Sequence, residues 1–281
     1  MNLQGLVDLH THSSFSPDAE SLAEEMCARA EELNLFAYGI SDHCDVNFWE
    51  EISDKNITDF SMYGSGEYSL KSIEKVSALK EKYSFLLCGI ELGQPLQNKE
   101  KAEKIASDSR LDYIIGSQHM NKGLDDFYWL DYDKMDGSQI DKILKDYFVQ
   151  LLEMCKWGKF DILGHLTYPL RYICVKGRKV DLKDYEDIIR EIFRTVIENG
   201  KGIEINCSGL RQEYGKTFPD AEMVKLYKNL GGEIITLGSD AHNCKDLGKG
   251  IKEAAEIALN AGFKYIACFR NHQAEFVKIP T

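Results

Sequence analysis

The chain has 281 residues, a formal net charge of -12 at pH 7 and an apolar fraction of 43%. The acidic balance argues against a broad nucleic-acid-binding surface, because affinity for the phosphate backbone comes mainly from clustered lysine and arginine. No apolar run is long enough to span a bilayer and the N-terminus lacks a signal-peptide pattern, so we expect a soluble, cytoplasmic protein. The 8 cysteines are scattered without a Cys-x-x-Cys pair, which is typical of reduced thiols rather than disulfides or a cysteine-based zinc site.

The first strand signal is an apolar run over residues 6–9 that leads into His10 and His12. Side chains at i and i+2 of a strand point to the same face, so the two imidazoles should project together from its end. Two converging imidazoles are typical of a metal site, although an isolated pair of this kind is as often structural. A polar loop that contains Asp18 follows.

Ser21 and Glu24 form a capping-box pattern, which predicts that a helix begins there and runs to about residue 34. The next strand is predicted over residues 37–43 and ends in a third histidine. Residues 44–66 are irregular and rich in aromatic side chains. A loop of this length is usually functional, so we interpret it as an insertion on the substrate side, with surface decoration as the alternative.

Helix and strand patterns alternate through the rest of the chain, as expected for parallel strands joined by helical crossovers. We find no linker or break in composition, and predict a single domain over residues 1–281. The strand count favours a barrel of the (β/α)8 kind, whose active sites lie at the carboxyl ends of the strands. The predicted helices cover about 68–83, 99–110, 139–156, 182–198, 221–230 and 247–261, and the strands cover 85–93, 112–119, 161–165, 202–208, 233–242 and, more weakly, 265–269.

Potential metal ligands lie at or just after the strand ends, where a barrel would bring them to one rim. With Asp18 they number more than a single ion can use, so we expect two or three divalent ions. Glu91 is the best candidate to bridge two of them, because each of its oxygens can bind one ion. Clustered divalent ions suit phosphoryl transfer, since they activate water and neutralise the phosphate. The other candidates are His10, His12, His43, His119, His165, Asp240 and His242.

Two arginines are placed to bind a phosphate group. Arg171 follows His165 closely, and Arg211 follows the strand predicted over 202–208. Guanidinium groups bind phosphate with two parallel hydrogen bonds, so both residues are candidate substrate ligands. Either one could instead be an ordinary surface charge.

In their order along the chain, these residues resemble the motifs of the polymerase and histidinol phosphatase (PHP) family. The resemblance implies a distorted (β/α)7 barrel of the TIM-like kind with a three-ion site. It assigns one ion to His10, His12, Glu91 and Asp240, a second to Glu91, His119 and His165, and a third to Asp18, His43 and His242. Some members have histidine at the position of Asp18, and many have a small apolar residue at Gln118. The matching segments are His10-Thr11-His12, Ser41-Asp42-His43, Glu91, Gly116-Ser117-Gln118-His119, Gly164-His165 and Ser239-Asp240-Ala241-His242.

Within that family, the chain length and loops resemble the stand-alone histidinol-phosphate phosphatases of histidine biosynthesis. The resemblance implies hydrolysis of L-histidinol phosphate to L-histidinol and inorganic phosphate. Asp240 or His242 would relay a proton to the leaving group. The alternatives are a phosphoesterase acting on nucleotides or oligonucleotide ends, a metal-dependent amide hydrolase, and a non-catalytic metal-binding barrel. The ligand types fit Zn, Mn and Fe equally.

Overall fold

The computed structural model describes residues 2–48, 67–175 and 177–280. Its main sheet consists of short strands, most of which are separated by helices along the chain. The strands are β1 (Val7–Asp8), β2 (Ala37–Ile40), β3 (His43–Asp45), β4 (Leu86–Gly93), β5 (Tyr113–Ser117), β6 (Ile162–Leu163), β7 (Gly202–Asn206) and β8 (Ile235–Gly238). The helices are α1 (Ala23–Glu32), α2 (Glu67–Leu79), α3 (Lys99–Ala106), α4 (Gly137–Trp157), α5 (Leu170–Ile173), α6 (Glu186–Glu198), α7 (Ala221–Asn229) and α8 (Ile251–Asn260).

The strands lie in the order β1-β2-β4-β5-β6-β7-β8, and every neighbouring pair in this path is parallel. Strand β3 continues the line of β2 and also pairs with β4. Backbone hydrogen bonds join the two ends of the path: Asp240 N donates to His10 O at 2.7 Å, and His12 N donates to Ala241 O at 2.9 Å. The prediction of a distorted (β/α)7 barrel is therefore confirmed.

Apolar residues at helical spacing attach the helices to the outside of this barrel. In α6 the buried side chains are Ile189, Ile192, Phe193 and Val196, which form one continuous stripe. The 21-residue α4 is capped by Asp136, whose carboxylate accepts hydrogen bonds from two backbone N–H groups of the first turn. These helices hold the strands in place, so that the strand ends can carry polar residues.

The predicted capping box at the start of α1 is wrong by one residue. Leu22 is the N-cap, and its backbone N donates to Glu25 Oε2 at 2.9 Å. The hydroxyl of Ser21 instead accepts a hydrogen bond from Cys244 N at 3.1 Å, so it fastens the loop that follows β8. A tertiary contact therefore replaces the local cap that the sequence suggested.

The weak eighth strand is also not a barrel strand. It forms β9 (Tyr265–Arg270), which pairs antiparallel with β10 (Gln273–Lys278) in a separate two-stranded ribbon. The tight turn between them has Asn271 and His272 in the left-handed region, with φ of 46° and 62°. His272 N donates to the Asp112 carbonyl at the amino end of β5, which attaches the ribbon to the amino-terminal end of the barrel.

Most of the predicted insertion at 44–66 lies outside the described residues, which resume at 67. Its beginning belongs to the barrel edge, because β3 runs to Asp45 and one 3-10 turn follows at Val46–Phe48. In the described ranges no helix combines the length and the apolar composition needed to cross a membrane. The cysteines are all free thiols.

Candidate metal centre

Glu91, on β4, lies at the centre of the cluster at the carboxyl ends of the strands and is 1% exposed. Ser117 Oγ on the neighbouring strand donates to its Oε1 at 2.7 Å. The remaining neighbours are imidazoles from several strands, which meet both oxygens of the carboxylate. Ring nitrogens lie between 2.7 and 3.7 Å from these oxygens in His10, His12, His43, His119 and His165.

Asp240 completes the group on the β1 side of Glu91. Its Oδ1 lies 3.9 Å from Nε2 of His10 and 3.4 Å from Nε2 of His12. On the opposite side, Nε2 of His119 and Nε2 of His165 are 3.4 Å apart, and both contact Glu91 Oε1. These two groups contain the residues predicted for the first and second ions.

The residues predicted for the third ion meet at the mouth of the cluster. Asp18 Oδ1 is 3.6 Å from His43 Nε2, and Asp18 Oδ2 is 3.1 Å from His242 Nε2. The ring of His12 stacks between those of His43 and His242, with 4.2 Å between centroids on each side. The structure thus brings all of the predicted ligands together, while their division among individual ions stays a prediction.

The buried nitrogens of the cluster fit a metal site. Nε2 of His10 and Nε2 of His12 are buried, face the carboxylates and have no hydrogen-bond partner in the part of the chain that the structure describes. The opposite nitrogens are held from outside: His10 Nδ1 by Glu204 at 2.9 Å, and His12 Nδ1 by Ser16 Oγ at 3.1 Å. An imidazole that is fixed through one nitrogen and open at the other is the usual arrangement of a metal ligand.

The charge states of the cluster also fit cation binding. Burial, together with the imidazoles of His242 and His43, lowers the pKa of His12 to about 3, so this ring is in the neutral form that binds metal. Burial alone would raise the pKa of Glu91, but His119 and other imidazoles hold it well below its ordinary value. Asp18 behaves in the same way beside His43. Glu91 therefore stays ionised although it is buried, and Asp18 is ionised at the exposed mouth of the cluster.

A buried carboxylate that the sequence analysis did not single out as a site residue shapes the loop after β1. Asp42 accepts hydrogen bonds from Ser13 N at 2.6 Å, from Ser13 Oγ and Ser16 Oγ at 2.7 Å, and from Ser72 Oγ at 2.6 Å. The Ser16 hydroxyl oxygen also accepts from His43 N at 3.0 Å and contacts His12 Nδ1. These hydrogen bonds hold the loop against the strand end and thereby position His12 and His43.

A second unpredicted network holds His119. Its Nδ1 lies 3.0 Å from Asp45 Oδ1, and its backbone N donates to Gln94 Oε1 at 2.6 Å. Gln94 is in the left-handed region with φ of 47°, which lets its amide also donate to Asp45. Gly93 is required here, because a Cβ would lie 2.1 Å from Asp45 Oδ1. The signal for this close approach in the sequence is Gly93, which lies two residues after Glu91.

The two candidate phosphate ligands occupy different places. Arg171, on α5, lines the cavity over the cluster, and its Nη2 donates to Ser208 Oγ and, at 3.2 Å, to Asp240 Oδ2. Arg211 contacts the backbone of Asp240, because its Nη2 donates to the Asp240 carbonyl at 3.1 Å. Arg171 therefore faces the cavity directly, and a role for Arg211 in phosphate binding stays a prediction.

The cluster forms the floor of a cavity of about 480 Å³ that is bounded by described residues. Its wall adds Asp126 and the aromatic rings of Tyr128, Trp129, Tyr168 and Tyr172. None of these residues was predicted as a site residue, although the aromatic run at 127–129 is visible in the sequence. Gln118 turns away from the cavity and donates to the carbonyl of Met120 at 2.8 Å.

The chain is similar to known proteins in both sequence and fold. A sequence model of the PHP domain matches residues 8–208. The chain belongs to the PHP domain family. Two curated relatives are a probable histidinol-phosphatase of Thermotoga maritima, 28% identical over 93% of this chain and 95% of the relative, and a histidinol-phosphatase of Lactococcus lactis, 26% identical over 94% of each.

Solved structures share the fold of this PHP chain over nearly its full length. A histidinol phosphate phosphatase from Lactococcus lactis, crystallised with zinc, L-histidinol and phosphate, superposes with a TM-score of 0.80 at 22% identity and covers 97% of this chain and 99% of its own. A putative histidinol phosphatase from Listeria monocytogenes gives 0.75 at 20% identity and covers 88% and 99%.

Proposed function

We propose that this PHP protein is a metal-dependent phosphomonoesterase that hydrolyses L-histidinol phosphate to L-histidinol and phosphate in histidine biosynthesis. The observation that carries the proposal is the convergence of imidazoles on both oxygens of Glu91, beneath a cavity that Arg171 lines. Relatives that match this chain over 93–94% of its length and are named as histidinol-phosphatases support the choice of substrate. The free thiols favour action in the cytoplasm.

The ligand set suits two or three divalent ions, with Zn, Mn or Fe as candidates. Such ions, when bound, lower the pKa of a water and offset the negative charge of the phosphoryl group. Arg171 binds the phosphoryl oxygens from the wall of the cavity. Its guanidinium is held over Tyr168, with 4.7 Å to the ring centre, so little freedom is lost when phosphate arrives.

The proton that the leaving alkoxide needs is relayed by His242 or by Asp240, whose ionised carboxylate first accepts it from the attacking water; both residues line the cavity. Burial would lower the pKa of His242, but Asp18 and Asp240 raise it overall. Asp240 is held in place by its contacts with Arg171 and His12. Both residues are thus positioned at the reacting end of the cavity.

Asp126 binds the basic part of the leaving group. Among the described residues that line the cavity, it is the one carboxylate outside the predicted ligand set. Burial raises its pKa, so a cationic partner would relieve the cost of its charge. Histidinol offers an ammonium and an imidazole, and the rings of Tyr128 and Trp129 beside Asp126 can pack against the latter. A mononucleotide brings no comparable cation.

The test is the rate of phosphate release by the manganese-loaded protein from L-histidinol phosphate, a mononucleotide and an aryl phosphate. We expect kcat/KM to be highest for histidinol phosphate by orders of magnitude. Equal values for all three substrates would leave a general phosphomonoesterase and remove the role in histidine biosynthesis. Preference for the mononucleotide would establish the alternative substrate class. No release from any of them would overturn the proposed chemistry.

A further inference from the structure

Glu204 lies outside the predicted ligand set, yet it contacts two of the ligands. It is on β7 and is 1% exposed. Its Oε2 and Oε1 lie 2.9 and 3.1 Å from His10 Nδ1. Oε1 also accepts from His165 N at 2.7 Å and from Asn206 Nδ2 at 3.2 Å. One carboxylate thus connects the ends of β1, β6 and β7.

We propose that Glu204 is a positioning residue that keeps the proton of His10 on Nδ1, so that Nε2 offers its lone pair to a metal ion. An ionised carboxylate only accepts hydrogen bonds, so the nitrogen that faces it must carry the proton. This inference rests on the metal binding proposed above. Glu204 then determines whether the His10 ring can bind a metal ion.

Packing around the pair supports a dedicated contact. Gly238 on β8 leaves the space that the pair occupies, because a Cβ there would lie 2.5 Å from His10 Cβ and 2.7 Å from Glu204 Oε2. Both oxygens of Glu204 accept hydrogen bonds. A side chain that only filled space would not need an acceptor at both positions.

Replacement of Glu204 by glutamine has a specific consequence. If the amide oxygen keeps the contacts with His165 N and Asn206, the amide NH₂ faces His10 Nδ1. Nδ1 is 2.9 Å from the NH₂ position and 3.1 Å from the amide oxygen, so it accepts from the nearer group; the proton then moves to Nε2 and blocks the metal position. If the amide turns over, its NH₂ opposes the N–H of His165. Neither orientation preserves the native arrangement.

Asp45 provides a matched control. Its Oδ1 accepts from Gln94 and faces His119 Nδ1, whereas Oδ2 is buried and lacks a hydrogen-bond partner within the described ranges. In Asp45→Asn the amide oxygen can keep both contacts, and the NH₂ replaces the oxygen that has none. The same chemical change is therefore expected to preserve the tautomer of His119.

The experiment measures bound zinc in the wild type, Glu204→Gln, Asp45→Asn and Asp112→Asn after reconstitution and gel filtration, with chelator competition for affinity. Asp112 is a buried carboxylate at the opposite end of the barrel and controls for lost stability. Glu204→Gln should bind about one ion fewer per chain, or bind it about 10- to 100-fold more weakly. Asp112→Asn should bind zinc like the wild type, and Asp45→Asn should lose less affinity than Glu204→Gln because the tautomer of His119 is kept.

Wild-type zinc content and affinity in Glu204→Gln would overturn the inference, as would equal losses in Asp45→Asn and Asp112→Asn. Absence of zinc, manganese and iron binding in the wild type would instead overturn the proposed function. If Glu204→Gln does not fold, the tautomer is read directly by ¹⁵N-correlated NMR of the zinc-loaded wild type. A proton on Nδ1 of His10 supports the inference, and a proton on Nε2 refutes it.

Discussion

Replacement of Arg171 by alanine should lower kcat/KM for histidinol phosphate by about 10² to 10⁴. The guanidinium is 12% exposed and held by Tyr168, Ser208 and Asp240, so it meets the phosphate already oriented. A hydrogen bond to a charged group contributes about 1.5–3 kcal/mol, and a guanidinium can donate two of them to one phosphate. The loss of about 3–6 kcal/mol corresponds to the stated range at about 1.4 kcal/mol per factor of ten.

The assay is steady-state phosphate release, with metal content measured for each variant because Arg171 contacts the predicted ligand Asp240. Arg171→Lys keeps the charge but not the planar pair of donors, so it should recover only part of the loss. Arg178→Ala removes a cation whose Nη1 donates to the Met135 carbonyl, and should leave the rate unchanged. A kcat/KM for Arg171→Ala within threefold of the wild type, at normal metal content, would refute the role in phosphate binding.

Three further predictions test other parts of the molecule. Glu91→Gln should abolish turnover and lower the metal content measured by elemental analysis, and near-normal activity would contradict the bridging role. Asp126→Asn should raise KM for histidinol phosphate at least tenfold while turnover of an aryl phosphate stays near wild type; equal effects on both substrates would remove Asp126 from leaving-group recognition. The hydrogen bond with Asp161 raises the pKa of His272 above 6.5, so this pair stabilises the fold fully below that pH and progressively less as pH rises through the folded pKa. Urea unfolding should therefore show that His272→Asn, which still tolerates the left-handed turn, is more destabilising at pH 6 than at pH 9, and a pH-independent difference would refute the linkage.

The sequence predicted the barrel because its signals are local. Helices such as α4 and α6 carry an apolar stripe at helical spacing, and the buried strands are short apolar runs between turns. The ribbon of β9 and β10 was missed because the apolar run at 265–269 is compatible with both a barrel strand and a ribbon strand. Its turn, Asn271-His272, lacks the glycine that usually marks a hairpin. Tertiary contact with Asp112 and Asp161 holds that turn instead.

The candidate ligands could be found because each lies at a strand end, which is a local property. Their partners could not be found in this way. Glu204 alternates with Ile203 and Ile205, which in an open sheet would predict a solvent-facing side chain. In the closed barrel that face is the interior, and the carboxylate meets His10 across 194 positions of sequence. Asp45 reaches His119 across Gly93, because β3 and β5 pair on either side of β4. Such pairs depend on barrel closure or on strand pairing, which no local pattern encodes.

The charges of the centre explain how the fold can bury several carboxylates. Burial opposes charge on every group, yet Glu91 and Asp240 stay ionised because imidazoles surround them. In return, Glu91 and Asp45 raise the pKa of His119 to about 10 against the effect of burial. Protons on such rings therefore supply the positive charge in the metal-free chain. Since imidazole binds metal only when neutral, divalent ions must displace these protons, and metal affinity rises with pH. The same carboxylates thus stabilise the metal-free fold and make the site selective for cations.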